Sequence, residues 1–128
     1  MSKYENRGFL LKQRAFLKLY MYQIIMEQKR YGQEYLHKLR KEFEPFGYSP
    51  THSEMYKVLH ELTREKLVTR EKRIKGEPGV DFQEVIFYEL TDKGKEEYDL
   101  FKKQMKVELE RNKALLEKAL RDHYAPLK

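Results

Sequence analysis

The sequence contains no cysteine and no tryptophan, and only four prolines and six glycines among its 128 residues. Without cysteine there is no disulfide framework, no thiolate nucleophile and no cysteine-based zinc site. The longest apolar stretch, residues 15–26, is interrupted by Lys18 and is shorter than the roughly 20 residues that a membrane-spanning helix needs. No signal peptide is visible, because residues 1–7 are mostly polar or charged. We therefore expect a soluble, cytoplasmic protein without a membrane partner.

Charged residues are abundant: they make up 38% of the chain, with a net charge of +6 at pH 7 and an isoelectric point near 9.3. Hydrophobic residues make up 40% and aromatic residues 13%, which is enough for one modest core and argues against wholesale disorder. Such a basic domain is a natural partner for a polyanion, although net charge does not indicate the fold.

Apolar periodicity predicts four helices and one β-hairpin. The first helix is apolar nearly all round, which is typical of a helix central to a core or shared with another subunit. Pro45 and Gly47 end the second helix, and either Thr51, which has Glu54 three residues later, or Ser53 is predicted to cap the third. The second strand is apolar on both faces and should be the better buried. The helices are predicted over residues 10–28, 31–46, 52–66 and 92–123, and the strands over residues 67–75 and 83–90.

The last predicted helix, capped by Thr91, is longer than a core of about 80 residues can cover. Its apolar residues recur mostly at three- and four-residue steps, with one polar interruption at Asn112, which is typical of a coiled-coil seam. Part of that seam needs another chain, so we expect a homodimer. The predicted dimer contacts are Tyr98, Phe101, Met105, Leu109, Asn112, Leu116 and Ala119.

This order of elements is that of a winged helix-turn-helix with a dimerisation helix, a mainly α fold with a small β-hairpin (α+β). We divide the chain into a basic arm (residues 1–9), a winged-helix domain (10–91) and a dimerisation helix (92–128). In such a module the third helix enters the major groove of double-stranded DNA, and the hairpin lies against the adjacent backbone. The groove candidates are Ser53, Tyr56, Lys57, His60 and Arg64, and the phosphate candidates are Arg70, Lys72, Arg73 and Lys75.

Simpler interpretations remain open. The basic strand could be an ordinary edge strand protected by its charges, and the polar face of the third helix could be only solvated. The four histidines show no metal-ligand spacing, and no nucleophile arrangement or phosphate-binding glycine loop stands out. We therefore expect no enzyme, no cofactor and no metal site.

Residues 8–21, GFLLKQRAFLKLYM, closely resemble the opening of the bacterial replication terminator protein family. Residues 50–56, 59–62, 83–85 and 102–111 resemble later segments of that family, so the resemblance covers roughly residues 8–123 in order. A looser resemblance connects the chain to PadR-like transcriptional regulators. There the shared features are Tyr31-Gly32, Tyr56 in the third helix, and YELTDKG at residues 88–94.

The terminator resemblance implies a winged-helix dimer joined by an antiparallel pair of last helices. Two dimers would bind adjacent half-sites and block the replicative helicase from one direction only. By position, Lys12 and Arg14 match DNA contacts of the family's arm and first helix, Ser53 and Lys57 match recognition-helix contacts, and residues 70–75 match its basic strand. Tyr31 matches a helicase-facing position. Lys29 stands where we expect an acid, so the resemblance supports DNA binding more than helicase contact.

Three functions therefore remain: a replication terminator, a PadR-like transcriptional repressor that could also sense a ligand at its dimer interface, and a protein-interaction module in which the basic surface only confers solubility. The first two predict salt-dependent DNA binding, and the third predicts none.

Overall fold

The computed structural model describes residues 8–28, 32–77 and 81–124; for a few residues beside the gaps, including Lys75, it describes only the backbone. The predicted order of three helices, hairpin and long helix is confirmed. The elements are α1 (Gln13–Gln28), α2 (Gly32–Phe43) with a 3-10 turn (Glu44–Phe46), α3 (His52–Arg64), β1 (Val68–Glu77), β2 (Asp81–Leu90) and α4 (Asp92–Tyr124).

The helix and strand ends differ from the predicted ones for identifiable reasons. α1 begins at Gln13 instead of Leu10, because the backbone of the preceding residues is hydrogen-bonded to α4. α3 ends at Arg64, and Lys66 adopts a left-handed conformation (φ 63°) that turns the chain into β1. The strands of the hairpin extend to Glu77 and from Asp81, further toward the turn than predicted.

The core is built around α1, as the sequence predicts. Leu17, Met21, Tyr22 and Ile25 on this helix are at most 1% exposed, and α1 contacts α3, α4 and β2. On the other flank of α1, a group of aromatic side chains packs between α1 and the end of α2, with ring centroids 4.8 to 6.2 Å apart. That group consists of Phe16, Tyr20, Phe43 and Tyr48.

The hairpin pairs β1 and β2 in antiparallel register, from Val68 opposite Leu90 to Glu77 opposite Asp81. Phe87, Tyr88 and Leu90 of β2 are buried, whereas β1 is exposed from Thr69 onward wherever its side chains are described. The predicted deeper burial of the second strand is confirmed.

α4 is pinned to the base of the hairpin at its first turn. The Thr91 hydroxyl accepts a hydrogen bond from the Gly94 backbone N–H (3.0 Å) and donates to the Lys66 carbonyl oxygen (2.9 Å). Gly94 packs so closely on Leu67 that a Cβ atom at this position would lie 2.0 Å from the Leu67 carbonyl oxygen. The entry of α4 is therefore fixed relative to β1.

The two halves of α4 have different surroundings. In the first half, the Tyr98 ring stacks on Tyr22 of α1 (5.2 Å between centroids), and Met105 is 4% exposed. The second half projects beyond this core, and nearly all of its residues after Asn112 are exposed. The predicted boundary after residue 91 thus falls between β2 and α4. It does not separate two cores, because the start of α4 packs in the same core as α1. None of the helices in the described ranges is long and apolar enough to cross a bilayer.

Candidate nucleic-acid interface

α3 begins with a complete capping box, as predicted. The Thr51 hydroxyl accepts from the Glu54 backbone N–H (3.1 Å), and the Glu54 carboxylate accepts from the Thr51 N–H (3.3 Å). Two otherwise unsatisfied backbone donors are thereby paired, and the helix start is fixed at the surface.

α3 is strongly amphipathic. Met55, Val58, Leu59 and Leu62 are at most 2% exposed and form the core side of the helix. All five groove candidates lie on the exposed side, which we call the α3 polar face. It consists of Ser53, Tyr56, Lys57, His60 and Arg64.

Tyr56 is 40% exposed, and its ring stacks against His52 with a centroid distance of 6.1 Å. This contact uses one side of the ring only. The phenol therefore stays on the surface, where it can meet a phosphate or the edge of a base.

Strand alternation places the hairpin's cations on two different faces. Arg70 lies opposite Tyr88 and Lys72 lies opposite Ile86, so these two cations share one face of the hairpin. Arg73 lies on the opposite face, where its guanidinium sits 3.8 Å from the centre of the Phe87 ring. The sequence predicts one basic strand, whereas the register separates Arg73 from Arg70 and Lys72.

Two of these cations also have acidic neighbours within the hairpin. Lys72 Nζ lies 3.6 Å from Glu84, and Arg73 Nη2 lies 3.1 Å from Glu71. These pairs are exposed, so they hold their cations only weakly and can exchange for a phosphate.

The α3 polar face and the hairpin line one groove with a volume of about 620 Å³. Tyr56, His60 and Arg64 contribute from α3, and Arg70 contributes from β1. The apolar side chains of Leu59, Val85 and Ile86 also line it. Three groove candidates and one phosphate candidate, Arg70, therefore meet on one concave surface. The other candidates whose side chains are described do not line it: Ser53, Lys57, Lys72 and Arg73.

Tyr88 lies in the wall of this groove and is only 4% exposed. Burial raises the pKa of its phenol, and the hydrogen bond and positive charge of Arg70 only partly offset that rise. The phenol is therefore neutral at physiological pH. It therefore lies beside Arg70 without neutralising the charge of the guanidinium.

The start of α1 adjoins α3. The Gln13 side-chain amide donates to the Tyr48 hydroxyl (2.9 Å) and to the Glu54 carboxylate. Arg14 Nε lies 3.4 Å from a Glu61 carboxylate oxygen. Lys12, one residue before α1, is exposed. Gln13 and Arg14 thus contact α3, and Lys12 directly precedes them. Arg14 is also paired with an acid, and the DNA contacts of Lys12 and Arg14 stay predictions.

The predicted dimer residues fall into two groups. Tyr98 and Met105 are buried within the chain itself, and Phe101 packs against the same core, so these side chains stabilise the protomer. Asn112 is 9% exposed and accepts a hydrogen bond from the Leu11 backbone N–H. Leu109, Leu116 and Ala119 remain exposed.

The exposed part of the seam also includes a residue that the sequence analysis missed. At 100° per residue, Leu109, Leu116 and Leu120 lie within about 40° of one another, and Ala119 lies further round the helix. Leu116 is 52% exposed and Leu120 is 58% exposed. The helical period, continued past Leu116, would have identified Leu120.

Some predicted positions lie outside the described residues: Tyr31, residues 1–7 of the arm and the side chain of Lys75. Across the described ranges, no three histidine, aspartate or glutamate side chains converge as metal ligands would.

A three-helix unit with an adjoining hairpin, a polar third helix and a groove between them defines the winged-helix class. Within that class, the family model described as replication terminator protein matches residues 8–124. The replication termination protein of Bacillus subtilis (strain 168) is 45% identical over 123 residues, covering 96% of this chain and 98% of that protein. The chain belongs to the replication terminator protein family.

Solved structures of transcriptional regulators share the fold. A PadR-like regulator from Bacillus cereus matches with a TM-score of 0.60 and 26% identity, covering 80% of this chain and 93% of that one. Bacillus subtilis PadR in complex with operator DNA matches with a TM-score of 0.54 and 28% identity over 66% of this chain. That match covers 45% of PadR, so this chain spans less than half of its length.

Proposed function

We propose that this chain is a replication terminator: a homodimer that binds specific double-stranded DNA and blocks a replication fork arriving from one side. The chain belongs to the terminator family and matches a replication termination protein over nearly its whole length. Binding to DNA, and not catalysis, is the proposed activity.

The observation that carries the proposal is the groove shared by the α3 polar face and β1. His60 and Arg64 project from a helix, Arg70 from a strand, and all three line one concave surface. In a winged-helix complex the helix contacts base edges, while the hairpin contacts the neighbouring phosphates. Lys12 at the start of α1 extends the positive surface past the other end of α3.

The dimer is proposed from the exposed stripe of α4. Leu109, Leu116 and Leu120 lie on one side of a helix about 50 Å long, beyond the part that the core covers. A second copy of α4 would bury this stripe and bring two α3 polar faces to half-sites about one DNA turn apart, roughly 34 Å.

The decisive experiment begins with selection of genomic DNA fragments that the protein binds. The strongest fragment is then placed in a plasmid in each orientation, and stalled forks are visualised by two-dimensional gel electrophoresis. We expect arrest in one orientation and passage in the other. Equal passage in both orientations would rule out the terminator function.

The DNA surface is tested with Lys57→Ala on α3 and a matched lysine variant, Lys41→Ala, on the exposed side of α2. Lys57→Ala should weaken binding and reduce the slope of log affinity against log salt by about 1, the value of one phosphate contact. Lys41→Ala should leave both unchanged. Equal effects of the two variants would contradict the proposed surface.

A PadR-like transcriptional repressor is the second candidate, favoured by the fold shared with the Bacillus cereus regulator and with operator-bound PadR. It predicts a site beside a promoter, rising transcription on deletion of the gene, and no fork arrest. Contact between Tyr31 and a replicative helicase is proposed from the family resemblance alone. It predicts that Tyr31→Ala loses fork arrest while DNA affinity is unchanged.

A further inference from the structure

Two polar residues in the middle of α4 hold the chain segment that precedes α1. The guanidinium of Arg111 donates from Nη2 to the carbonyl oxygens of Gly8 and Phe9, each at 2.9 Å. The side-chain oxygen of Asn112 accepts from the Leu11 backbone N–H at 2.6 Å. These contacts join positions more than 100 residues apart in the sequence.

Arg111 and Asn112 are each only 9% exposed, although their neighbours on α4 are mostly exposed. A buried guanidinium is costly unless its charge is paired and its donors find acceptors. The Glu108 carboxylate lies 3.6 Å from Arg111 Nε and balances the charge, and Nη2 donates to both carbonyl oxygens, whereas Nε is buried without a hydrogen bond of its own. Arg111 is therefore built into a specific contact.

Apolar burial alone does not explain why this segment lies against α4. The Phe9 side chain is 73% exposed and Leu10 is 38% exposed, so these two apolar residues bury little surface. The backbone of residues 8–11 is held by the hydrogen bonds that Arg111 donates to Gly8 and Phe9 and by the one that Asn112 accepts from Leu11. Removing them would release the segment.

The held segment leads directly to a candidate DNA contact. Lys12 follows Leu11, and its carbonyl oxygen accepts the hydrogen bond from the Phe16 N–H that opens α1. The next residue, Gln13, hydrogen-bonds Glu54 at the start of α3. The backbone at Lys12 is thus fixed from α4 on one side and from α1 on the other, next to the start of α3.

We propose that Arg111 and Asn112 are positioning residues for DNA binding. They hold residues 8–11 on α4 so that Lys12 meets a phosphate beside the N-terminal end of α3. The helix proposed to join two protomers would then also set one of the DNA contacts. The inference rests on the proposed DNA-binding function and assigns a role to residues on a different element from the groove.

The test compares Arg111→Ala with Arg121→Ala, which removes the same charge from an exposed position on the same helix. Affinity for the selected DNA fragment is measured over a range of salt concentrations. Arg111→Ala should weaken binding about fivefold and reduce the salt slope by about 1, because Lys12 no longer meets its phosphate. Arg121→Ala should leave the slope unchanged, and both variants should remain dimers by sedimentation.

A double-mutant cycle with Lys12→Ala separates positioning from a general loss of stability. Lys12→Ala alone should also reduce the slope by about 1. Adding Arg111→Ala in that background should reduce it no further, because the contact that Arg111 supports is already gone. Additive reductions, or an unchanged slope in Arg111→Ala alone, would overturn the inference.

Arg111→Lys provides a second test in case Arg111→Ala folds poorly. Lysine keeps the charge but lacks the rigid, planar Nη2 amino group that donates to both carbonyl oxygens, so the slope of this variant should lie between those of the wild type and Arg111→Ala. A wild-type slope in a folded Arg111→Lys variant would also count against the inference. Failure of the proposed DNA-binding function is distinguishable from failure of this inference, because the unmodified protein would then show no salt-dependent affinity for DNA.

Discussion

Gly94 has no side chain, and this allows the start of α4 to pack directly against the Leu67 backbone. Helix propensity favours alanine over glycine by about 1 kcal/mol. At this position, however, the added Cβ would lie 2.0 Å from the Leu67 backbone oxygen, which no side-chain movement can relieve. Steric overlap of this kind typically costs 1 to 3 kcal/mol, and a backbone clash belongs at the upper end.

We therefore expect Gly94→Ala to lower the free energy of unfolding by about 2 kcal/mol, measured by urea denaturation. The neighbouring exposed residue Lys95 serves as the control: Lys95→Ala should change the free energy of unfolding by less than about 0.5 kcal/mol. A Gly94→Ala variant as stable as the wild type would show that the helix start can move away from the hairpin.

Tyr22 makes stability sensitive to alkaline pH. Burial, aided by the negative charge of Glu97, raises the pKa of its phenol from 10.0 to about 12. Between these values the folded state keeps a proton that the unfolded state releases. The contribution of the protonated Tyr22 phenol to the free energy of unfolding is therefore complete below pH 10. It is lost as pH rises toward 12, and the free energy of unfolding then falls by up to about 1.4 kcal/mol per pH unit.

Chemical denaturation at pH 9, 10 and 11 measures this loss. Tyr22→Phe should unfold with a shallower dependence on pH than the wild type, because the titrating hydroxyl is absent. Tyr124→Phe, at a position 78% exposed, should keep the wild-type dependence. Identical profiles for all three proteins would show that Tyr22 titrates normally.

At the scale of the elements, local signals in the sequence were sufficient for most of the fold. The Thr51 and Glu54 spacing predicted the capping box, and the apolar face of α3 predicted which residues are buried. These features depend on residues three or four positions apart, so their periodicity is visible in one sequence. The candidate groove residues on α3 were identified for the same reason.

Contacts between distant segments were not visible in the sequence. The sequence predicts Asn112 to be a polar interruption in a dimer seam, but in the structure it is hydrogen-bonded to the backbone of Leu11. The sequence also predicts one basic strand containing Arg70 and Arg73, although strand alternation places these two residues on opposite faces. Nothing in the period of α4 indicates where its packing against α1 ends, since Tyr98 and Leu116 follow the same repeat.

The exposed stripe of α4 predicts a specific effect on assembly. Leu116→Glu should convert the dimer to a monomer in sedimentation experiments, because it places a charge in the apolar contact. Leu100→Glu is a matched control: Leu100 is 53% exposed, close to the 52% of Leu116, and lies on the opposite side of the helix. It should leave the dimer intact. Dissociation by both variants, or by neither, would contradict the proposed seam.

For the whole molecule, the charges of separate elements should act together on DNA. If about six phosphates are neutralised, log affinity should fall with log salt at a slope near −5. Filter binding or fluorescence anisotropy between 50 and 300 mM salt measures this slope. The monomeric Leu116→Glu protein should show about half of it, since each protomer supplies half of the contacts. A slope near zero for the wild type would favour the protein-interaction function instead.

The attachment of α4 at Gly94 and its exposed stripe at Leu109 and Leu116 lie on one uninterrupted helix. An α-helix advances 1.5 Å and turns 100° with every residue. In the proposed dimer, the number of residues between these points would therefore set the distance between the two DNA-binding units. Inserting a single residue would rotate one unit against the other, so such a protein could be stable and dimeric yet out of phase with its half-sites.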